Sequence, residues 1–321
     1  MTILAIDDLR VHFDRRRTRL HAVRGVSLEV AAAECVGIVG ESGSGKTQMF
    51  MAAMGLLAPG AEAAGSVRFE GTELLGAKAA ALNRVRGSRL AMVFQDPMTS
   101  LTPHLTVGSQ LSEVLVTHAG VSWPSAESGA LRMLERVRVP EARRRLRQYP
   151  HELSGGLRQR VMIGMALLCD PALLIADEPT TALDVTVQSQ VMDLLRSMRR
   201  EIGMAVVLIS HDLGVVAGLA DRIVVMYAGR IVESGTAGDI LERALHPYTA
   251  ALLQCVPNLH GPRLHRMPSL PGQPPDPGTD APGCAFAPRC AHVTQRCKAE
   301  RPSLQIGPSA HAVACHYPLP A

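Results

Sequence analysis

The sequence has no hydrophobic run long enough to cross a bilayer and no strong excess of one charge. Its most apolar stretch, residues 161–176, is interrupted by Asp170 and Pro171, whereas a membrane span needs about 20 consecutive apolar residues. The net charge of +4 over 321 residues is too small to argue for nucleic-acid binding. The first ten residues, MTILAIDDLR, do not have the pattern of a secretory signal. These absences predict a protein of the cytosol, unless another protein holds it at a membrane.

The composition changes close to residue 256. Up to residue 255, apolar strand patterns alternate with amphipathic helix patterns, and a hydrophobic content of 47% allows a sizeable core. Residues 257–321 instead carry 13 of the 22 prolines and four of the seven cysteines. Such a segment is typical of a loop-rich appendage rather than of a continued sheet. We therefore expect two domains, residues 1–255 and residues 256–321.

The first of these domains has the pattern of an α/β fold. Short apolar runs with the character of buried strands recur along it, and amphipathic segments lie between them. The strand candidates are residues 34–40, 66–70, 90–95, 172–177, 204–210 and 222–227. This alternation favours a mainly parallel sheet with helices on both faces. Helical patterns dominate about residues 97–165, which predicts a helical insertion.

A glycine-rich segment, GESGSGKT at residues 40–47, lies between a buried strand candidate and a helix. It fits the pattern G-x-x-x-x-G-K-[ST] of a phosphate-binding loop in the context that this pattern requires. Its glycines let several backbone N–H groups turn inward around a β-phosphate, and the helix N-terminus adds its dipole. Lys46 supplies a charge for the β- and γ-phosphates, and Thr47 supplies a hydroxyl for Mg²⁺. The expected nucleotide contacts are Gly40, Glu41, Ser42, Gly43, Ser44, Gly45, Lys46 and Thr47.

Two carboxylates end another strand candidate. Asp177 can accept a Mg²⁺-bound water, and Glu178 can polarise the water that attacks a γ-phosphate. Gln95 and His211 also end strand candidates, and the carboxyl ends of parallel strands meet at the edge of the sheet where ligands bind. We therefore expect Gln95 to sense the metal or the water, and His211 to contact the γ-phosphate.

A second glycine-rich turn, LSGGLRQR at residues 153–160, also runs into a helix and has the character of an anion site. Further motifs are FQD (94–96), LLIADEPTTALD (173–184) and ISHD (209–212). In this order and spacing, these motifs and the phosphate loop make the chain resemble the nucleotide-binding subunits of ABC transporters, over about residues 35–235.

The resemblance implies a RecA-like phosphate-loop ATPase core, an antiparallel N-terminal β part and an inserted helical subdomain. It also implies that two such domains face each other, so that Ser154, Gly155 and Gly156 of one bind the γ-phosphate of the ATP held by the other. Asp184 would lie at the seam between them. The family further expects an aromatic residue to stack on adenine, and Phe13 is the nearest candidate. The implied catalytic residues are Glu178, His211, Gln95 and Lys46, and the implied Mg²⁺ ligands are Thr47, Gln95 and Asp177.

Three stretches resemble one branch of the family, the importers of di- and oligopeptides and their nickel-importing relatives. They are QDPMTSLTP (95–103), HELSGGLRQR (151–160) and HPYTAALLQCVP (246–257). This branch implies a peripheral subunit on the cytosolic face of the bacterial inner membrane. Its partners would be a second, different ATPase subunit, two membrane permeases that contact the helical insertion and, indirectly, an extracytoplasmic solute-binding protein, with no nucleic acid. The alternatives are an importer of nickel or another small solute, a soluble ABC ATPase, and a domain that binds ATP without hydrolysing it.

Four cysteines in the second domain, Cys284, Cys290, Cys297 and Cys315, are spaced C-x5-C-x6-C-x17-C. A metal would stabilise a segment without a core of its own, whereas disulfides are disfavoured in a reducing cytosol. Structural zinc prefers shorter spacings, and four thiolates also suit a [4Fe–4S] cluster. The start CAFAPRC resembles that of peptide-importer ATPase subunits that carry such a cluster, so we place the cluster before zinc and zinc before no metal. His292, His311 and His316 are possible substitute ligands, and Cys35, Cys169 and Cys255 are expected to be core residues.

Overall fold

Two units make up the described part of the chain, and each is considered on its own. The computed structural model describes residues 1–15, 18–96, 100–181, 183–255, 270–307 and 310–320. One unit comprises Leu4–Glu29, Cys35–Gly76 and Ser210–Ala321, and we call it the P-loop unit because it contains residues 40–47. The other comprises Met1–Ile3, Val30–Glu34 and Ala77–Ile209, and we call it the signature unit because it contains residues 153–160. The predicted start of the insertion at 97 and the predicted domain boundary at 256 lie outside the described residues.

The strands follow the apolar runs of the sequence. They are β1 (Thr2–Arg15), β2 (Thr18–Ala31), β3 (Cys35–Val39), β4 (Ala61–Phe69), β5 (Thr72–Glu73), β6 (Leu90–Val93), β7 (Leu173–Asp177), β8 (Ala205–Ser210), β9 (Arg222–Tyr227), β10 (Arg230–Thr236), β11 (Gln305–Ile306) and β12 (Ala312–Val313). Every residue of β3, β7 and β8 is buried. Continuous apolar runs of this kind are typical of parallel strands that are covered on both faces.

The helices of the described residues lie between these strands and after them. They are α1 (Lys46–Ala53), α2 (Ala79–Val85), α3 (Val107–Ala119), α4 (Trp123–Arg136), α5 (Ala142–Arg145), α6 (Gly155–Leu167), α7 (Val185–Ile202), α8 (Leu213–Ala217), α9 (Ala237–Glu242), α10 (Pro247–Gln254) and α11 (Gln295–Ala299). Among these residues, none of the helices combines the length and the apolar character that a bilayer span requires.

The signature unit joins a small parallel sheet to a group of helices. Strand β7 pairs in parallel with β6 on one side and with β8 on the other. Helices α3 to α6 occupy most of the predicted insertion. Helix α7 is amphipathic, begins at the capping side chain of Asp184 and ends at Gly203, whose φ of 74° suits glycine.

The P-loop unit contains two sheet segments. In one, β1 pairs antiparallel with β4, and β4 pairs antiparallel with β5. In the other, β3 pairs in parallel with β9, and antiparallel pairing continues from β9 through β10 and β12 to β11. The end of the tail therefore extends a sheet that begins beside the phosphate loop. The predicted α/β fold, with parallel strands and an antiparallel N-terminal part, is confirmed.

Candidate functional site

The phosphate loop joins the end of β3 to the start of α1, as its sequence predicts. Gly40 and Gly45 have φ values of 156° and 97°. A Cβ atom at Gly40 would stand 2.1 Å from the carbonyl oxygen of Met226, and one at Gly45 would stand 2.2 Å from that of Ala22. Both positions require glycine because neighbouring backbone approaches them closely.

Lys46 is the first residue of α1 and is only 6% exposed. Its Nζ donates to the carbonyl oxygens of Gly40 at 2.6 Å and of Glu41 at 2.9 Å, and to the Oγ of Ser44 at 3.4 Å. An ammonium group held at the mouth of a helix N-terminus is the arrangement that binds a phosphate as a point charge. Thr47 follows it on the helix and is half-buried.

Glu178 and Gln95, both in the signature unit, lie in direct contact. The Nε2 of Gln95 donates to the Oε2 of Glu178 at 3.0 Å, and the hydroxyl of Thr181 donates to the same oxygen at 2.8 Å. Glu178 has a φ of 46°, a left-handed conformation that costs a non-glycine residue about 1–3 kcal/mol. Asp177, one residue earlier, ends β7 and is 3% exposed. The predicted roles of Asp177 and Glu178 toward Mg²⁺ and the attacking water stay predictions.

His211 belongs to the P-loop unit and directly follows β8. It is exposed, and the next residue begins α8 as its N-cap, because the Asp212 carboxylate accepts from the backbone N–H of Gly214 at 2.8 Å. Its predicted contact with a γ-phosphate stays a prediction. Phe13 is half-buried on β1, opposite Ala61 of β4, and its predicted stacking on adenine also stays a prediction.

The signature turn presents an open helix N-terminus. Ser154 is the exposed N-cap of α6, and its side chain makes no capping hydrogen bond. Gly155 is exposed as well, whereas a Cβ atom at Gly156 would stand 2.8 Å from a methyl group of Val187. A 13-residue helix whose first N–H groups and N-cap hydroxyl face solvent can accept an anion from outside.

Asp184 has a structural task that the sequence reasoning missed. Its carboxylate accepts a hydrogen bond from the backbone N–H of Val187 at 2.9 Å and so caps α7. The signal was present in the sequence, because an aspartate before an amphipathic run is typical of an N-cap. The side chain is exposed, and its predicted place at a dimer seam stays a prediction.

One cavity of the P-loop unit is lined by all four tail cysteines, which are 31 residues apart along the chain at most. Its other lining residues are His246, Pro247, Phe286, Ala287, His292, Pro302, His316 and Tyr317. Burial raises the pKa of the Cys284, Cys290 and Cys315 thiols, since a thiolate is poorly solvated there. The higher pKa favours the neutral thiols, and a bound cationic group would have to stabilise the thiolates.

Among the described residues, no three of the four cysteine sulfurs all lie within 4.8 Å of one another. Zn–S bonds of about 2.3 Å in a tetrahedron place sulfurs about 3.8 Å apart. Within the described residues, the one group of three or more potential ligand residues whose ligand atoms all lie within 4.8 Å of one another is elsewhere, at His12, Asp14 and Glu62. In a [4Fe–4S] cluster each thiolate binds a different iron, so its ligands stand farther apart than those of one ion.

The three histidines named as possible substitute ligands do not all lie near the cysteine cavity. His292 and His316 line the cavity. His311 is a correction, because it is buried against β10, where its Nε2 lies 2.8 Å from the carboxylate of Glu233. His246, which the sequence reasoning did not single out, lines the cavity instead; its Nδ1 accepts from the backbone N–H of Tyr248 at 3.0 Å. Burial lowers the pKa of His246 to about 4, so its ring is neutral and carries its proton on Nε2.

Two residues from later parts of the chain, one in α10 and one in the tail, also reach the phosphate loop, which the sequence reasoning missed. The hydroxyl of Tyr248 accepts from the backbone N–H of Glu41 at 2.9 Å, and Arg289 forms an ion pair with the carboxylate of Glu41. The available signals were the HPY triplet at 246–248 and the arginine before Cys290, both inside stretches that resemble peptide importers.

Comparisons with known proteins agree with this geometry. A family model described as ABC transporter matches residues 23–181, and a model of the oligopeptide/dipeptide transporter C-terminal region matches residues 232–297. The oligopeptide transport ATP-binding protein OppD of Salmonella typhimurium is 49% identical over 317 residues, which cover 99% of this chain and 94% of the relative. The dipeptide transport ATP-binding protein DppD of Haemophilus influenzae is 47% identical, with coverage of 99% and 96%. Among solved structures, the dimeric MJ0796 cassette bound to ADP and Pi has a TM-score of 0.66 at 28% identity, with coverage of 73% of this chain and 98% of that one.

Proposed function

Because the chain belongs to the ABC transporter family, among the ATP-binding proteins of peptide transport, we propose that it hydrolyses ATP to energise the import of di- and oligopeptides across the bacterial inner membrane. The observation that carries this proposal is the match over almost the whole chain, including the peptide-transporter C-terminal region at residues 232–297. That region favours peptides over nickel or another small solute.

In the chemistry that we propose, the phosphate loop binds the nucleotide and Glu178 activates the attacking water. The N–H groups of residues 40–47, Lys46 and Thr47 bind the phosphates, while Glu178 accepts a proton from the attacking water. The bond to the γ-phosphorus forms as the β–γ bridge breaks, and ADP leaves. Gln95 orients Glu178 through the hydrogen bond at 3.0 Å, and His211 contacts the γ-phosphate.

The nucleotide would bring Mg²⁺ with it. Thr47, Gln95 and Asp177 offer hydroxyl, amide and carboxylate oxygens, which are the donors that this hard cation prefers. When bound, the ion neutralises charge that develops on the phosphates. Lys46 supplies the protein's own positive charge for the same purpose.

We further propose that the signature turn completes the site of a partner subunit. Ser154, Gly155 and Gly156 would bind its γ-phosphate, with Asp184 at the seam. The exposed and uncapped helix N-terminus supports this, as does the dimeric state of the MJ0796 cassette. The assembly would contain a second, different ATPase subunit and two permeases, peripheral on the cytosolic face, and would receive solute from an extracytoplasmic binding protein.

For the tail, we propose that Cys284, Cys290, Cys297 and Cys315 hold a [4Fe–4S] cluster, supported by the cavity that all four of them line. Bound there, the cluster would tie together a segment with little secondary structure. Anaerobically purified protein should absorb near 400 nm and contain about four irons and four sulfides per chain. Cys290→Ser should lose both signals and the matched control Cys169→Ser should keep them; zinc in place of iron would contradict the proposal.

The test of the proposed function is peptide uptake by cells that lack the native gene. Lys46→Ala should abolish uptake of a labelled tripeptide, because the phosphates lose their point charge. Lys78→Ala, which removes an exposed lysine before α2, should support normal uptake. Normal tripeptide uptake without the protein, together with a loss of nickel uptake, would favour the alternative solute.

A further inference from the structure

A partly buried ion pair links the segment that carries the cysteines, residues 284–315, to the phosphate loop. Arg289, next to Cys290, donates from Nη1 to Oε2 of Glu41 at 2.6 Å and from Nη2 to Oε1 at 2.9 Å. This is a bidentate pair, and the Arg289 side chain is only 3% exposed. The two residues are 248 positions apart, so the contact exists only in the folded unit.

The position of Arg289 is set by the tail itself. Its Nε donates to the carbonyl oxygen of Pro271 at 2.8 Å, and its Nη1 also donates to the Tyr227 hydroxyl at 3.2 Å. The preceding residues Phe286 and Ala287 line the cysteine cavity. The guanidinium thus stands where the folded cysteine segment places it.

Glu41 is held at both its backbone and its side chain. Its N–H donates to Tyr248, which is fully buried, and its carbonyl oxygen accepts from Lys46. The backbone N–H of Ser44 also donates to that carbonyl oxygen, at 3.2 Å. Glu41, which pairs with Arg289 of the tail, is therefore also a residue that shapes the turn of the phosphate loop.

Glu41 brings a negative charge into a loop that binds negative phosphates. It is the single acidic residue of GESGSGKT. An unpaired carboxylate at this place would repel the nucleotide and would compete with it for Lys46, and a half-buried charge is screened less than an exposed one. In this structure the guanidinium of Arg289 neutralises that carboxylate.

We propose that Arg289 is a positioning residue for ATP binding: it cancels the charge of Glu41 and holds that residue in the phosphate loop, so that nucleotide affinity depends on the folded cysteine segment. The inference rests on the proposed binding of ATP to residues 40–47. It assigns the tail a part in the ATP site of its own chain.

A double-mutant cycle on the purified full-length protein tests this inference. The Kd of a fluorescent ATP analogue with Mg²⁺ is measured for the wild type, Arg289→Met, Glu41→Gln and the double variant, together with iron content. We expect Arg289→Met to raise the Kd about tenfold or more when Glu41 is present. The double variant should return to within about threefold of Glu41→Gln, because no carboxylate is left unpaired.

The controls separate charge from folding. Arg296→Met removes an exposed tail arginine that pairs with Glu300 and should leave the Kd unchanged. Arg289→Lys keeps a positive charge but loses the bidentate geometry, so its Kd should lie between those of the wild type and Arg289→Met. An unchanged Kd in Arg289→Met, or a double variant as weak as Arg289→Met, would overturn the inference. A wild-type protein that binds no ATP, like the Lys46→Ala control, would instead overturn the proposed function.

Discussion

The two glycine-rich turns of this chain look alike in sequence and differ in structure. Both GESGSGKT and LSGGLRQR lead into a helix N-terminus. In the first, Lys46 is buried and bonded to carbonyl oxygens of its own loop, and the tail holds Glu41. In the second, Ser154 is exposed and caps nothing. Residues of the same chain thus contact the phosphate loop, whereas the N-terminus of the signature helix is exposed to solvent.

The difference teaches that a shared motif type does not imply a shared partner. Backbone N–H groups at a helix N-terminus attract an anion in either case. Charge and burial decide whether that anion is held within one chain or between two. This reasoning underlies the proposal that the signature turn binds the nucleotide of another subunit. Four predictions test the difference between the two turns and the segments next to them.

The largest effect is expected from a variant that still binds ATP but cannot hydrolyse it. Glu178→Gln should lower ATP turnover by at least about 100-fold, because the attacking water loses its base. It should also accumulate an ATP-bound dimer, since hydrolysis can no longer release the partner. Turnover assays and size-exclusion chromatography with ATP measure both effects. Glu127→Gln, which neutralises an exposed carboxylate on α4, should behave as the wild type. Undiminished turnover in Glu178→Gln would refute the assigned role.

Blocking the signature turn should lower ATP turnover without changing ATP binding. Ser154→Arg should reduce ATP turnover about 10- to 100-fold, because a bulky side chain prevents closure on the partner's phosphate. The Kd of the isolated subunit for ATP should change by less than about threefold. Ser125→Arg on an exposed part of α4 is the matched control. If a strictly monomeric preparation turns over at full speed and Ser154→Arg changes nothing, the two-chain site is wrong.

Disturbing the cysteine segment should weaken ATP binding by the phosphate loop and leave the signature turn unchanged. Cys290→Ser, or removal of iron with a chelator, should raise the ATP Kd several-fold, because Arg289 loses its support. The same treatment in a Glu41→Gln background should have no effect on the Kd. Titration with the fluorescent nucleotide and iron analysis give the two readouts. An equal loss of affinity in both backgrounds would mean that the tail acts by another route.

The smallest effect is expected at Asp184, which caps α7 and is also proposed to lie at the seam between two subunits. Asp184→Ala should lower the free energy of unfolding by about 1 kcal/mol, because α7 loses its N-cap. Asp184→Asn should retain the cap and therefore the stability. Denaturant titration measures this, and ATP turnover of Asp184→Asn reports separately on a role at the seam. Equal stability of the alanine variant and the wild type would contradict the capping role.

Much of the site could be predicted because it depends on short segments. The phosphate loop, the carboxylates after β7 and the signature turn are each read within eight residues or so, since glycine positions, strand ends and helix starts are local features. That Gln95 and Glu178 would lie at the same edge of the sheet could be expected from the rule that parallel strands end at one edge, but their hydrogen bond was not predicted. The position of His311 could not be predicted, because nearness to Cys315 along the chain does not decide which way a buried ring points.

Local sequence by itself determined the kind of fold, the family and the anion-binding turns, because backbone conformation and hydrophobic periodicity depend on neighbouring residues. Only the tertiary structure decided that Arg289 neutralises Glu41, that Tyr248 holds the phosphate loop and that four cysteines line one cavity. Ion pairs and cavities depend on distances between residues far apart along the chain, and those distances are set when the unit packs.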